Sequence, residues 1–317
     1  MGWTADHVPD QADRVSVITG ANSGIGYETT KALADHGGTV IMACRNEHRA
    51  NRARESIHES VQGADLRIEL VDLASLDSIA DFGARLAEQE VTIDLLINNA
   101  GIGGIPRRET VDGFEYQFGV NHLGHFALTG HVLDLFSEGA RVVTVSSEIH
   151  RRGRIDFDDL HSERSYGRWS AYAQSKLANL LFAAELDRRF DASNRQLISV
   201  GAHPGFVKTN FQARSSQDSF IRLFAMRIAT AMFAKSPEAG ARPVLYAATA
   251  PEIPRRSYVG PGGFRNQRGP PSVQEPSSIA DDPLIARRLW EISREATGVR
   301  YTIEAREAGT ADQEIEQ

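Results

Sequence analysis

Short apolar runs alternate along this chain with longer stretches whose apolar residues recur every three or four positions. Val15–Thr19, Thr39–Cys44, Leu66–Val71, Ile93–Ile97, Arg141–Ser146 and Gln196–Gly201 are the short runs, and each predicts a buried strand. Between them, residues 24–36, 46–61, 75–89, 110–137 and 170–190 show helical spacing. Such alternation builds a parallel sheet with helices on both faces. The expected fold is α/β: a doubly wound sheet of about seven strands in a three-layer αβα arrangement. No internal repeat is present and no Pro/Gly linker interrupts residues 14–205, which predicts one domain over residues 1–303.

Beyond Pro204 the pattern loosens. Residues 206–235 are expected to cover a substrate. Their apolar part, 217–233, includes Phe220, Phe224, Met232 and Phe233 and reads as an amphipathic helix, either a lid or an ordinary core helix. Residues 236–249 and 281–297 read as helices, Tyr258–Val259 as a last short strand, Gly260 to Pro271 as loop, and 304–317 as a polar, flexible tail.

Composition narrows the partners. The chain has 317 residues, 41% hydrophobic and 24% charged, an ordinary globular balance. A net charge of −7 argues against a nucleic-acid or anionic-membrane footprint. The single cysteine, Cys44, precludes an internal disulfide and fits a reducing compartment. No apolar run approaches the ~18 residues of a membrane span, and the N-terminal stretch with Asp6 and Asp10 is unlike a secretion signal. The expected location is the cytoplasm.

Two stretches carry chemistry. Thr19-Gly20-Ala21-Asn22-Ser23-Gly24-Ile25-Gly26 joins a predicted strand to a predicted helix. Glycines there let the backbone turn tightly and approach a pyrophosphate, and the helix start offers N–H groups and a favourable dipole. The plain alternative is a structural turn. At the end of the second strand, where an NAD site places an acid, the chain reads Ala43-Cys44-Arg45-Asn46. A guanidinium suits a 2′-phosphate, which predicts NADP(H) over NAD(H), with Arg45 on that phosphate. The second stretch runs from Ser170 to Phe182. It stacks Tyr172 and Lys176 on one helix face, four residues apart. A neighbouring ammonium lowers a phenol's pKa, and reaching ~7.5 would take about 3 kcal/mol. Taken alone, the pair is better described as a solvated helix face, because so short a pattern is common.

Together these motifs resemble a classical short-chain dehydrogenase/reductase with a Rossmann-like fold, over about residues 14–260. The resemblance rests on Thr19–Gly26, Asp72-Leu73, Asn98-Asn99-Ala100-Gly101, Asn121, Ser146-Ser147, Tyr172 with Lys176, and Pro204-Gly205 with Thr209. Val120 to Phe126 and His203-Pro204-Gly205 look most like the retinol-dehydrogenase branch. The resemblance implies an NADP(H)-dependent oxidoreductase acting on a carbonyl or alcohol. Ser147 would donate to the carbonyl oxygen, with Ser146 as its rival. Tyr172 would protonate the alkoxide, Lys176 would hold the nicotinamide ribose and lower the Tyr172 pKa, and Asn121 would complete a proton relay. Gly20, Asn22, Ser23, Gly24, Ile25, Gly26, Arg45, Asn46, Asp72, Leu73, Asn99, Ala100, Gly101, Pro204, Gly205, Val207 and Thr209 would contact the cofactor. The local alternatives are a turn shaped by Asn98 and Asn99 and a helix cap at Asp72.

Ser147 and Tyr172 are 25 positions apart, wider than in compact members of the family, so residues 148–169 are expected to loop over one wall of the site. His122, His125 and His131 share a helical spacing, but without a further ligand pattern they predict packing or hydrogen bonding and no metal. Phe206, Phe211 and the 217–233 stretch suggest a lipophilic substrate. Two other classes share some of these features: an extended-branch epimerase or dehydratase, and a non-catalytic NADPH-binding redox sensor. The short glycine spacing and Arg45 count against the first, and the complete Asn121, Ser147, Tyr172, Lys176 set against the second. Homodimer, homotetramer and monomer all fit the sequence.

Overall fold

Val17 and Ile18 are neighbours in the chain, and both are fully buried, on opposite faces of one sheet. The same division separates Ile41 from Val40 and Met42, and Leu96 from Leu95 and Ile97. A strand buried on both faces must be apolar at nearly every position, which is why these runs do not alternate with polar residues. The computed structural model describes residues 2–193, 195–205, 236–263 and 269–303.

Among the described residues the strands are β1 Val15–Thr19, β2 Thr39–Cys44, β3 Asp65–Leu70, β4 Ile93–Asn98, β5 Phe136–Val145, β6 Ile198–Ala202, β7 Tyr258–Pro261 and β8 Pro271–Gln274. They form one eight-stranded sheet in the order β3-β2-β1-β4-β5-β6-β7-β8, parallel except for the β7–β8 pair. The helices are α1 Gly24–Asp35, α2 Glu47–Ser60, α3 Leu76–Glu88, α4 Tyr116–Phe118, α5 Gly124–His131, α6 Arg168–Ala192, α7 Pro237–Thr249 and α8 Pro283–Thr297. One apolar cluster joins α3, α5, α6 and α8 to the first face of the sheet, through Phe82, Phe126, Phe182 and Trp290 among others. A second joins α1, α2 and α7 to the opposite face, through Leu33, Ile57 and Val244. This is the Rossmann-like three-layer arrangement.

Three local expectations need correction. The sheet has eight strands because Pro271–Gln274, expected partly as loop, pairs antiparallel with β7. The single helix expected over 110–137 does not form. Thr110 and Phe114 close a turn, with Thr110 N–H donating to the Phe114 carbonyl. Glu115 then caps α4, its carboxylate accepting from the N–H groups of Gln117 and Phe118. A π-helical turn, Gly119–Leu123, separates α4 from α5. The fifth strand starts at Phe136, not Arg141, because Ile93 pairs with Phe136 before the register shifts to Leu95–Arg141. The lid-or-core question for 217–233, the covering segment 206–235 and the tail 304–317 lie outside the described residues.

Candidate active site

The parallel strands all point the same way, so the residues that follow them collect along one edge. Gly20 follows β1, Arg45 β2, Asn99 β4, Ser146 and Ser147 β5, and His203 β6. Asp72 stands two residues beyond β3. The strand order reverses between β1 and β4, and the crevice at such a point is where open α/β sheets bind ligands.

Thr19 organises that crevice. Its fully buried hydroxyl accepts from the N–H groups of Asn99 and Ala100, both at 2.9 Å, and lies 2.9 Å from His125 Nε2. His125 Nδ1 lies 2.9 Å from the Asn121 carbonyl, which can only accept. Nδ1 therefore carries the proton, and Nε2 accepts from Thr19. Asn99 returns to the same strand end, its amide donating to the Thr19 carbonyl at 2.8 Å. The glycines fit between. Gly20 and Gly24 have φ of +67° and +57°, and a Cβ on Gly26 would stand 2.6 Å from the Asn99 amide nitrogen. Burial pushes the Cys44 thiol up to about 11 beneath this loop, where its sulfur takes backbone hydrogen bonds from Ala21 and Asn22.

Helix α1 starts differently from most others. Side chains close α2, α3, α7 and α8, from Asn46, Ser75, Ser236 and Asp282. Ser23, at the same position before α1, makes no such bond, and no acid stands in the first turn. The N–H groups there remain available to an anion, as a pyrophosphate requires. The residues present therefore fit a dinucleotide. Asn46, expected beside the cofactor, spends its carbonyl oxygen on Arg49 N–H. Arg45 donates to the Tyr116 hydroxyl at 3.0 Å and lies 3.9 Å from Asp72. Asp72 itself accepts from Ala74 N–H at 3.0 Å, a local turn, while Ser75 is the cap of α3. Leu73 is buried under the α5 start, where a Cβ on Gly124 would meet its carbonyl.

At the ends of β5 and α6 the four expected catalytic side chains come together. The Ser147 side chain acts on the Tyr172 phenol, favouring its ionised form. Ser146 is committed elsewhere, its hydroxyl donating to the Lys176 carbonyl at 2.6 Å. Lys176 is buried, and its ammonium donates to the Val145 carbonyl at 3.0 Å, 5.9 Å from the Tyr172 ring centre. Asn121 lies in the π turn. Its amide donates to the Ile102 carbonyl and to Ser175 Oγ, and its oxygen accepts from Ile102 N–H. A Cβ on Gly101 would stand 3.2 Å from Lys176 Nζ and 3.3 Å from Asn121 Oδ1, so the missing side chain leaves space bordered by both groups.

The phenol differs from the sequence expectation. Burial pushes Tyr172 up to about 12, with the Ser147 side chain opposing, and burial lowers Lys176 to about 8. The ammonium is turned toward Val145 and does not offset the desolvation of the hydroxyl. Within the 148–169 insert, Trp169 stands edge-on to Tyr172, with ring centres 6.2 Å apart, and packs over Gly104. Trp169 remains 45% exposed, so it forms an apolar wall beside the phenol. Arg152 and Arg154 of the basic run are exposed, while Arg151 pairs with Glu148.

Spacing did not single out a buried cluster behind Ser147. His150 Nδ1 donates to the Ser147 carbonyl at 2.8 Å. Tyr258 of β7 donates to Glu148, and His203 Nε2 lies 3.1 Å from Gln274 Oε1 of β8. His203 Nδ1 then accepts from Gly205 N–H at 3.3 Å, shaping the turn after β6, where Gly205 has φ +73°. Pro204 and Gly205 are thereby placed at the edge; Val207 and Thr209 lie outside the described residues. His122, expected to pack or to hydrogen-bond within its own helix, lies 2.9 Å from Ser293 of α8. Among the described residues no group of three His, Cys, Asp or Glu could hold a metal ion, and no helix is long and apolar enough to cross a membrane.

Comparison with known proteins gives the same picture. The family model described as short chain dehydrogenase matches residues 14–219. Human retinol dehydrogenase 14 is 38% identical over 299 residues, covering 89% of this chain and 86% of that protein. Mouse polyprenol dehydrogenase is 39% identical, covering 93% and 85%. The crystal structure of an uncharacterised protein from Mycobacterium paratuberculosis is 40% identical, with a TM-score of 0.78 and coverage of 95% and 99%.

Proposed function

This chain belongs to the short-chain dehydrogenase family, in its retinol-dehydrogenase-like branch, and we propose that it transfers hydride between NADP(H) and the carbonyl or alcohol carbon of a lipophilic small molecule. Family membership makes it a nicotinamide-dependent oxidoreductase. The observation that carries the mechanism is the convergence of Lys176 Nζ and Asn121 Oδ1 on the space beside Gly101, with Tyr172 one turn earlier on α6 and under the influence of Ser147.

The bound nicotinamide supplies or accepts the hydride. Ser147 donates to the substrate oxygen, a contact worth about 3 kcal/mol as negative charge develops there. Tyr172 gives that oxygen its proton. At neutral pH a phenol held near 12 is fully protonated, so the site stands loaded as an acid, the state that reduction needs. Lys176 and Asn121 border the space beside Gly101, where ribose hydroxyls and a relay water would refill the phenol's proton. Arg45, with its side chain 57% exposed and Asp72 no nearer than 3.9 Å, supports the choice of NADP(H). Trp169 beside the phenol supports an apolar substrate, as do the names of the retinol and polyprenol dehydrogenases to which the chain is similar.

Oxidation of NADPH by the purified protein, against long-chain and conjugated aldehydes and ketones, tests this reading. Tyr172→Phe should lose at least ~100-fold in kcat while still binding NADPH. Turnover by that variant at the wild-type rate would show that the phenol is not the acid.

A further inference from the structure

Three side chains from two separate segments, the end of β2 and the turn leading into α4, meet beyond the sheet edge. Arg45 Nη1 donates to the Tyr116 hydroxyl at 3.0 Å. The Arg108 guanidinium carbon lies 3.6 Å from the centre of the same ring, on its face. Tyr116 is 9% exposed and fixed at the start of α4, whereas Arg45 and Arg108 are exposed. One tyrosine thus gathers two cations.

Stacking on the ring favours Arg108 and the hydroxyl holds Arg45, but like charges held together repel. Among the described residues the only carboxylate within 4.0 Å of either guanidinium is Asp72, at 3.9 Å from Arg45. That carboxylate already accepts from Ala74 N–H. The Tyr116 hydroxyl accepts from Arg45, so its own proton remains to be donated. Two planar guanidinium forks and one O–H are a donor set for a tetrahedral dianion. A ribose hydroxyl, with one proton and two lone pairs, could engage only part of it.

We infer that Arg108 and Tyr116 join Arg45 in seating the 2′-phosphate of NADP(H), with Tyr116 as the positioning residue that holds the Arg45 fork. The inference rests on the NADP(H) reading above and extends it to the turn 108–116, of which the sequence singled out no residue. Arg45 supplies charge. Tyr116 fixes its direction through the hydroxyl, and the face of the same buried ring holds Arg108.

Binding of NADPH and NADH to the full chain, followed by nicotinamide fluorescence, tests this without a substrate. Competition by 2′,5′-ADP and 5′-ADP gives a second readout. Tyr116→Phe should weaken NADPH about tenfold, the size of one hydrogen bond to a charged group, and NADH less than twofold. Arg108→Gln should weaken NADPH about fivefold, again sparing NADH. The advantage of 2′,5′-ADP over 5′-ADP should shrink in both variants. Wild-type protein that binds NADH as tightly as NADPH would remove the cofactor reading itself. Wild-type protein that prefers NADPH, loses the preference in Arg45→Gln and keeps it in Tyr116→Phe and Arg108→Gln, would overturn this inference alone. Equal weakening of both dinucleotides by Tyr116→Phe would also overturn it, since it would make Tyr116 a packing residue.

Discussion

Replacing Thr19 by valine keeps the shape of a fully buried side chain and removes one oxygen. That oxygen serves the N–H groups of Asn99 and Ala100 and donates to His125 Nε2, each at 2.9 Å. Each group left unmet costs about 1–3 kcal/mol when buried. The two N–H groups lie in a part-buried loop and recover some solvation, while the imidazole nitrogen is sealed. A total near 3 kcal/mol follows, of which His125 carries about half. For a chain of this size, that lowers the melting temperature by about 6 °C. Urea unfolding should show a lower midpoint at an unchanged slope. Thr19→Ser keeps the hydroxyl and loses one methyl, so it should cost only about 1 kcal/mol. NADPH affinity should fall in the valine variant too, because Asn99–Gly101 hangs from this oxygen. A valine variant melting within 1 °C of wild type (about 0.5 kcal/mol), or a serine variant as weak as valine, would refute the hub.

Acid should unfold the protein early. Burial holds His122, His125 and His203 at about 3, 4 and 4, against ~6.5 in an unfolded chain. Between those limits the unfolded chain binds more protons, so stability is intact above pH ~6.5 and falls as pH drops, by up to about 1.4 kcal/mol per pH unit for each histidine. Urea midpoints at pH 7, 6 and 5 measure the slope; His203→Gln should flatten it, and a pH-independent midpoint would contradict the burial argument. Ser147→Ala should lower kcat by about 100-fold or more, whereas Ser146→Ala, which loses only the bond to the Lys176 carbonyl, should cost about 1 kcal/mol of stability. The reverse pattern would exchange the two serines. Gly26→Ala should abolish dinucleotide binding, measured by fluorescence titration, because the new methyl would press on the Gly20 carbonyl and the Asn99 amide; retained affinity would mean the loop relaxes at no cost.

The elements that the chain announced correctly are those whose burial repeats locally. β2, from Thr39 to Cys44, is apolar along its length because helices cover both its faces. The helix carrying Tyr172 and Lys176 was readable from its uninterrupted leucines. The misread elements depend on partners distant in sequence. Phe136 to Gly139 joins β5 because Ile93 pairs with Phe136. Pro271–Gln274 has no strand character of its own and exists beside β7. The break before α4 had a local signal, Gly113 in a left-handed turn followed by Glu115 as cap, which the surrounding apolar spacing masked.

The site divides along the same line. Order along the chain fixed which residues follow each strand, and parallel pairing then obliged them to share an edge. That was enough to nominate the glycine loop and Arg45; Ser147, Tyr172 and Lys176 were nominated by the family resemblance. Sequence did not reveal what each nominated group meets. Thr19 and His125 are 106 positions apart, Arg45 and Tyr116 71, His203 and Gln274 71. Nor did it reveal that Lys176 turns to Val145 while burial raises the phenol, because desolvation depends on every element packed around a group and not on its neighbours in the chain. Local periodicity is set by which face a residue buries and survives in a linear string; hydrogen-bond partners and ionisation are set by three-dimensional packing, and only the folded chain supplies them.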